Sequence, residues 1–517
     1  MEQLPTEILL CILSKLDWKS TVCLLKVSKR LYQVVFPSIY RSLHIRLDAK
    51  DVVAARQRLH DINLRHVQYT KHISLNVPYI LHAWNRVIRC DPDDDRLMAS
   101  PRSPLPDVPK FRCDLLVNSI DDNCLRSFSW NVGMNCPDVI DLDGIWSALG
   151  RKSRLNAISI ITLHGCELDR IEPISPVHLP ALESFTWKSP SSCYGFRWMR
   201  DCIAIHRKQL TTLIIGVFDW HTSMEGWAER SETPSTDRNF LANDILGIEP
   251  GREASHNLLP RLETLSLTRV SFSSYTRQMS SCLNISHLIS LELWECRYAL
   301  DLLLCVVESQ QPTRLRKFTF SSINSANLEP NEVEAGSHSL SSFLLSFKGL
   351  DTIRLRLPWY TDPKRCVWEG LLNHSATLKY LTVQGEIEYN LAMNPEIFTL
   401  CRSPSLIGFG INAQPGELLR IWTTQSEKPT FKALHITPLR KLTRRQRWNE
   451  YGSVRPYVPW IFGPDGLRTL FTLAIENTVF FRNSKRRRNF TQQEGDNDYI
   501  LWDLEDYTDP DSSVYHN

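Results

Sequence analysis

Apolar residues recur along this chain in a six-residue figure, Leu-x-x-Leu-x-Leu, with aromatic or β-branched side chains replacing some leucines. The figure starts at Leu125, Leu155, Leu182, Leu210, Leu262, Leu288, Leu315, Leu350, Leu378, Leu406, Phe431 and Leu470. Its last two apolar positions alternate with polar ones, as Leu291 and Leu293 do around Glu292. Period-two alternation predicts a strand with one buried face. Two earlier alternations, Leu43-Ile45-Leu47 and Ile73-Leu75-Val77, predict further strands. Successive figures start 25 to 39 residues apart, except for one step of 52 between Leu210 and Leu262. That step holds either an insertion or one degraded unit. A single strand cannot bury its own leucines, but neighbours stacked in a parallel sheet can. Return segments must connect the strands, and the apolar runs Leu300–Ser309 and Leu340–Phe347 predict helices for two of them.

The first 36 residues follow a different period. Ile8, Ile12 and Leu16 recur every four residues with Leu9 and Leu13 beside them, the pattern of a helix. Pro5 suits its first position and Glu7 its first turn. Asp17 opens a second helix carrying Val22, Leu24, Leu25 and Val27. Ser28 is the N-cap of a third, carrying Leu31, Val34 and Val35, which Pro37 is expected to end. About forty residues cannot close an independent core, so a partner or the rest of the chain must cover some of this apolar surface.

Composition narrows the function classes. Of 517 residues, 42% are hydrophobic and 23% charged, a mix that folds. A net charge of +3 on this length does not by itself point to nucleic acid or a membrane surface. The longest apolar runs, such as Leu302–Val307, fall far short of a bilayer span, and no signal-peptide pattern opens the chain. Fourteen cysteines are scattered and never spaced as CxxC, so neither a disulfide framework nor a zinc site is expected. A cytoplasmic or nuclear protein is the resulting expectation. Asn284-Ile-Ser, Asn373-His-Ser and Asn489-Phe-Thr match the glycosylation pattern, which arises often by chance.

Leu4-Pro5-Thr6-Glu7-Ile8-Leu9, Ile12-Leu13-Ser14-Lys15-Leu16 and Leu24-Leu25-Lys26-Val27-Ser28-Lys29-Arg30 together resemble an F-box. Phe36-Pro37-Ser38-Ile39-Tyr40-Arg41 resembles the segment that follows it in many fungal members, although Leu31-Tyr32 stands where many place tryptophan. The resemblance implies binding to a Skp-type adaptor and, through it, to a cullin. Carried over position by position, it implies an adaptor interface at Leu4, Pro5, Ile8, Leu16, Leu24, Val27 and Ser28. The later period is close to the 20–29 residues of leucine-rich repeats. The Leu288 unit fits best, with Cys296 at the Asn/Cys position; most others lack that residue. The expected fold is therefore α/β: an N-terminal three-helix F-box over residues 1–45, then an irregular leucine-rich-repeat solenoid over 46–480. Its parallel strands and helices would follow a horseshoe or arc. Residues 91–110, 219–258 and 438–466 read as inserted loops, and 481–517 as a charged tail with a basic cluster from Arg482 to Arg488. Tyr499–Leu504 in that tail is apolar enough to cap the last repeat.

Positions alternating with the buried leucines form the face where a target would sit. Expected contacts are Glu292, an exposed Trp294, Lys317, Arg354, Arg356 and Tyr380. Tryptophan and arginine are frequent interface anchors, while ordinary solvated sheet residues are the simpler account of each one. Arg440 to Arg447 with Trp448 and Tyr451 mix basic and aromatic residues as nucleic-acid patches do, but the rest of the chain shows no basic bias, so a solvated loop is the expected reading and no nucleic-acid partner is expected. No phosphate loop, dinucleotide fingerprint, HExxH or GxSxG is present, so no cofactor, metal or catalytic residue is expected. The expected role is a substrate receptor of a ubiquitin ligase. A scaffold that binds the adaptor alone is the alternative, and a hydrolase with an unrecognised site is the reading from another class.

Overall fold

The computed structural model describes residues 4–46, 57, 59–76, 111–131, 140–141, 144–162, 179–188, 190, 193–217, 240–248, 258–272, 276–322, 330–357, 365–385, 395–413, 415–424, 428–437, 461–462, 466–475 and 478–481. Most of the three inserted loops and nearly all of the charged tail lie outside these residues, as do Asn489 and the Tyr499–Leu504 segment. The chain divides into two compact units, one built mainly on residues 1–235 and the other on residues 262–517.

The first unit opens with helices α1 (Thr6–Leu13), α2 (Trp18–Leu24) and α3 (Lys29–Ile39). The Asp17 carboxylate accepts the Ser20 N–H at 2.7 Å, and the Ser28 hydroxyl accepts the Leu31 N–H at 3.2 Å. Ser28 is the expected cap and Asp17, expected to open α2, caps it in the same way, each satisfying an amide that the first helical turn leaves unpaired. Pro5 occupies the N-cap of α1 and not its first helical position. Pro37 does not end α3, which runs on to Ile39. The proline sits in the last turn, and the Phe36 and Tyr40 rings on either side of it pack 4.7 Å apart. That ring contact and the Tyr40 N–H to Phe36 carbonyl bond hold the turn together.

Strands follow in this unit: β1 (Ser42–Arg46), β2 (His72–Asn76), β3 (Phe111–Arg112), β4 (Ser127–Asn131), β5 (Ile140–Asp141), β6 (Ala157–Ile161), β7 (Ser184–Lys188) and β8 (Thr212–Gly216). β3 and β5 pair with each other. The rest lie parallel in the order β1-β2-β4-β6-β7-β8.

The second unit holds β9 (Thr264–Thr268), β10 (Ser290–Trp294), β11 (Lys317–Ser321), β12 (Thr352–Leu357), β13 (Tyr380–Gly385), β14 (Gly408–Asn412), β15 (Ala433–Thr437) and β16 (Thr472–Ile475), all parallel in chain order. A last strand, β17 (Thr478–Phe481), turns back antiparallel on β16. Each of the twelve sequence units supplies one strand, starting two residues after its leading leucine or phenylalanine. Equivalent positions stack in columns: Leu291 faces Leu265 on one side and Phe318 on the other. The twelve leading residues are all buried. Full burial of such side chains contributes roughly 1.5–3 kcal/mol each, so the repeating leucines are the main source of cohesion.

The return segment at Ala299–Glu308 falls where the apolar run predicts it. Pro330–Leu345 is a helix ten residues longer at its N-terminal end than the predicted Leu340–Phe347, because its first turns are polar and carry no apolar period. Adjacent return helices pack closely: a Cβ on Gly370 would lie 2.9 Å from Leu344 Cβ. Asn373, within a glycosylation pattern, is already engaged, donating to the Leu344 and Phe347 carbonyls at 3.1 and 2.7 Å. It thereby satisfies orphan carbonyls at the end of the Pro330–Leu345 helix. Asn284, in another such pattern, is buried.

Candidate functional site

The helical leader closes only a small core. Leu9, Leu31 and Val35 are buried, with Leu4, Leu13, Leu24, Leu25, Val34 and Ile39 packed against them. Arg30 Nη2 ties α3 to the start of α1 by donating to the Leu4 carbonyl at 2.7 Å. Seven helical turns cannot enclose all of their own apolar residues, and α1 is apolar on every side. Ile8 therefore stands 47% exposed, Leu10 45%, Leu16 37%, Val27 63% and Tyr32 43%.

The seven expected interface residues separate into two groups. Pro5, Ile8, Leu16 and Val27 are exposed and open to a partner. Leu4 and Leu24 pack on the module's own core, and the Ser28 hydroxyl caps α3. Leu10 and Tyr32 belong with the exposed group and were missed by the four-residue period. The signal that finds them is the apolar girdle of α1, which exceeds what so small a module can bury. The Asp17 carboxyl is held below the usual carboxylate range, chiefly by the Ser20 backbone N–H and then by the Ser20 hydroxyl.

The leader is joined to the first strands without a linker, since only Tyr40 and Arg41 separate α3 from β1. Phe36 is the hub of the joint. It packs against Tyr32 (4.9 Å), Tyr40 (4.7 Å), His66 (4.9 Å, edge-on) and Tyr69 (6.0 Å, edge-on). The Thr70 hydroxyl donates to the Tyr40 carbonyl at 3.0 Å, and Tyr40 Oη lies 3.2 Å from His66 Nδ1. Aromatic pairs of this geometry add about 0.5–1.5 kcal/mol each beyond their burial, so the joint is stiff.

The second unit gathers the six expected target contacts on one face of its sheet. Parallel register places Glu292, Thr319, Arg354 and Thr382 in one cross-strand row and Trp294, Ser321, Arg356 and Gln384 in the next. Lys317 is exposed, while Glu292, Arg354 and Tyr380 are half-buried. Trp294 corrects the sequence expectation, since it is 8% exposed and not a free anchor. The Arg356 guanidinium lies over its ring, 5.8 Å from the centroid. Ser321 on the intervening strand is small enough for Arg356 to reach across it. The Glu295 carboxylate holds Arg269 at 2.8 Å and approaches Arg356 at 3.8 Å, and Glu292 accepts the Ser266 hydroxyl at 2.8 Å. The face is thus a pre-ordered network of both charge signs.

Cys296 is buried and its thiol donates to the Leu267 carbonyl of the preceding unit at 3.2 Å. Burial pushes that thiol up to about 12, so it is an inert donor and not a nucleophile. Among the described residues no group of three His, Cys, Asp or Glu is placed to hold a metal ion. No described helix is long and apolar enough to cross a membrane.

Comparison with known families finds an F-box-like model matching residues 1–46, which covers the three helices and β1. A search of curated proteins finds no match.

Proposed function

We propose that this protein is the substrate-recognition subunit of an SCF-type (Skp-cullin-F-box) ubiquitin ligase. In this reading the leader docks on a Skp-type adaptor, the adaptor bridges to a cullin, and a leucine-rich-repeat solenoid holds the target. The reading rests on one observation: the segment that matches an F-box-like family carries exposed Ile8, Leu10, Leu16 and Val27 on a module too small to cover them. Burying these half-exposed side chains contributes roughly 1 kcal/mol each, with a few central anchors dominating.

The protein itself contributes no chemistry. It raises the effective concentration of a bound target near a ubiquitin-conjugating enzyme carried by its partners. The Phe36 joint supports this mechanism by tying the docked leader to the first strands of its own unit. The mixed-charge face around Glu292, Arg354 and Arg356 is the proposed target surface.

Co-expression of the intact protein with adaptor and cullin, followed by affinity capture, tests the assignment. The expected result is capture of both, lost together when Ile8 and Leu16 are changed to aspartate. Capture of the adaptor without the cullin would replace the ligase reading with the scaffold reading.

A further inference from the structure

The residue immediately before each strand forms a second ladder, running along the edge of the sheet where the strands begin. In the first unit this ladder reads Arg41, Lys71, Arg126, Asn156, Glu183, Thr211. Each amide donates to the preceding member's carbonyl, Lys71 to Arg41 at 2.8 Å and Arg126 to Lys71 at 2.7 Å, so the three cations sit on adjacent strands. Among the described residues none of the three makes an ion pair or a side-chain hydrogen bond. Arg41 and Arg126 are exposed and Lys71 is half-buried, with exposed His44 close by.

The second unit handles the same position differently. There Arg316 is followed on the next strand by Asp351, which pairs with it at 3.6 Å and stands between it and Lys379. Acid thus alternates with base in one ladder, while three like charges adjoin in the other. Like charges held side by side oppose folding, and an anion bound across them removes the penalty. His72 records the field: burial first, and then the charges of Arg41, Arg126, Lys71 and His44, push its imidazole below its ordinary range.

We propose that Arg41, Lys71 and Arg126 form a docking site for an acidic segment of a protein partner, their charges spaced to take two or three carboxylates or a phosphate. Two strand spacings of about 4.8 Å make the row roughly 10 Å long. That length suits a few acidic side chains and not an extended polyanion, and Glu183 two strands beyond Arg126 repels a longer one. Arginine's planar fork favours such oxyanions. Arg41 lies within the F-box-like match, but the row follows the starts of the strands and includes none of the exposed apolar residues proposed for adaptor docking.

The test is fluorescence polarisation of the full chain with a fluorescein-labelled octaglutamate peptide at low salt. We expect saturable binding that falls at least tenfold in the Arg41→Gln/Lys71→Gln/Arg126→Gln variant. The expected change is less than threefold in an Arg316→Gln/Lys379→Gln/Lys432→Gln control. The first variant should melt no lower than the parent, since it removes repulsion only. A phosphoserine in the peptide should bind at the same site and show the same loss. An Ile8→Asp/Leu16→Asp chain should keep the peptide. The proposal is overturned if octaglutamate does not bind, if the Arg41 variant binds it equally, if the Ile8 variant loses it, or if an oligothymidylate of the same length binds more tightly.

Discussion

The helical leader and the strand repeats treat apolar residues in opposite ways. In the repeats every leading leucine or phenylalanine is removed from water, and strand residues stack on their counterparts, as Leu291 does between Leu265 and Phe318. In the leader, three buried residues serve as the core and at least as many large apolar side chains face outward. The difference teaches where each region's partner is. A repeat carries its partner in the same chain, one unit away, so its leucines explain cohesion and nothing more. The leader leaves Ile8, Leu16 and Val27 outside its own core and exposed to water, and that is what makes them evidence of function.

Breaking the repeat side of this comparison should have the largest effect. Phe318 is fully buried and packs 5.1 Å from Phe343. Phe318→Ala should cost about 3–5 kcal/mol, read as a lower urea midpoint, while adaptor affinity stays unchanged. A drop in adaptor affinity as large as in the leader variants would merge the two regions.

The next effect in size is pH dependence in the second unit. His374 donates through Nε2 to the Leu344 carbonyl at 2.9 Å and accepts the Leu350 N–H at Nδ1, so it is held neutral. Burial pushes its pKa down to about 4. Because the unfolded chain takes up this proton first, near pH 6.5, the contribution is complete above that value. It is lost as pH falls from there toward about 4, on the order of 3 kcal/mol in all. His374→Gln should flatten the dependence of melting temperature on pH in that window.

Smaller effects sharpen the leader. Ser28→Ala removes the α3 cap and should cost about 1 kcal/mol, seen as faster hydrogen exchange at the first amides of α3. Smallest is Arg356→Ala on the sheet face. Its cation–π contact with Trp294 and its long, partly buried pairing with Glu295 should together be worth about 0.5–1 kcal/mol in denaturant unfolding.

The strands were legible because two periods coincide: alternation within each unit, and recurrence from unit to unit. Ser28 was legible as a cap, and Asp17 as a helix start, because capping is local. What failed depends on contacts distant in sequence. The burial of Trp294 requires Arg356 two strands away and a serine between them. The exposure of Leu10 follows from Leu9, not Ile8, facing Leu31 and Val35. α3 passes Pro37 because the aromatic rings around it form a tertiary cluster that no helix-ending signal describes. The basic ladder of Arg41, Lys71 and Arg126 was invisible in a net charge of +3, because register alone brings the three together.

Calorimetric titration of a purified Skp-type adaptor into the intact protein tests the leader most directly. Tight binding by the parent is expected, weakened roughly 100-fold or more in the Ile8→Asp/Leu16→Asp chain, with the melting temperature of the repeats unmoved. Equal affinity in the two chains would show that this exposed surface is not where the adaptor binds.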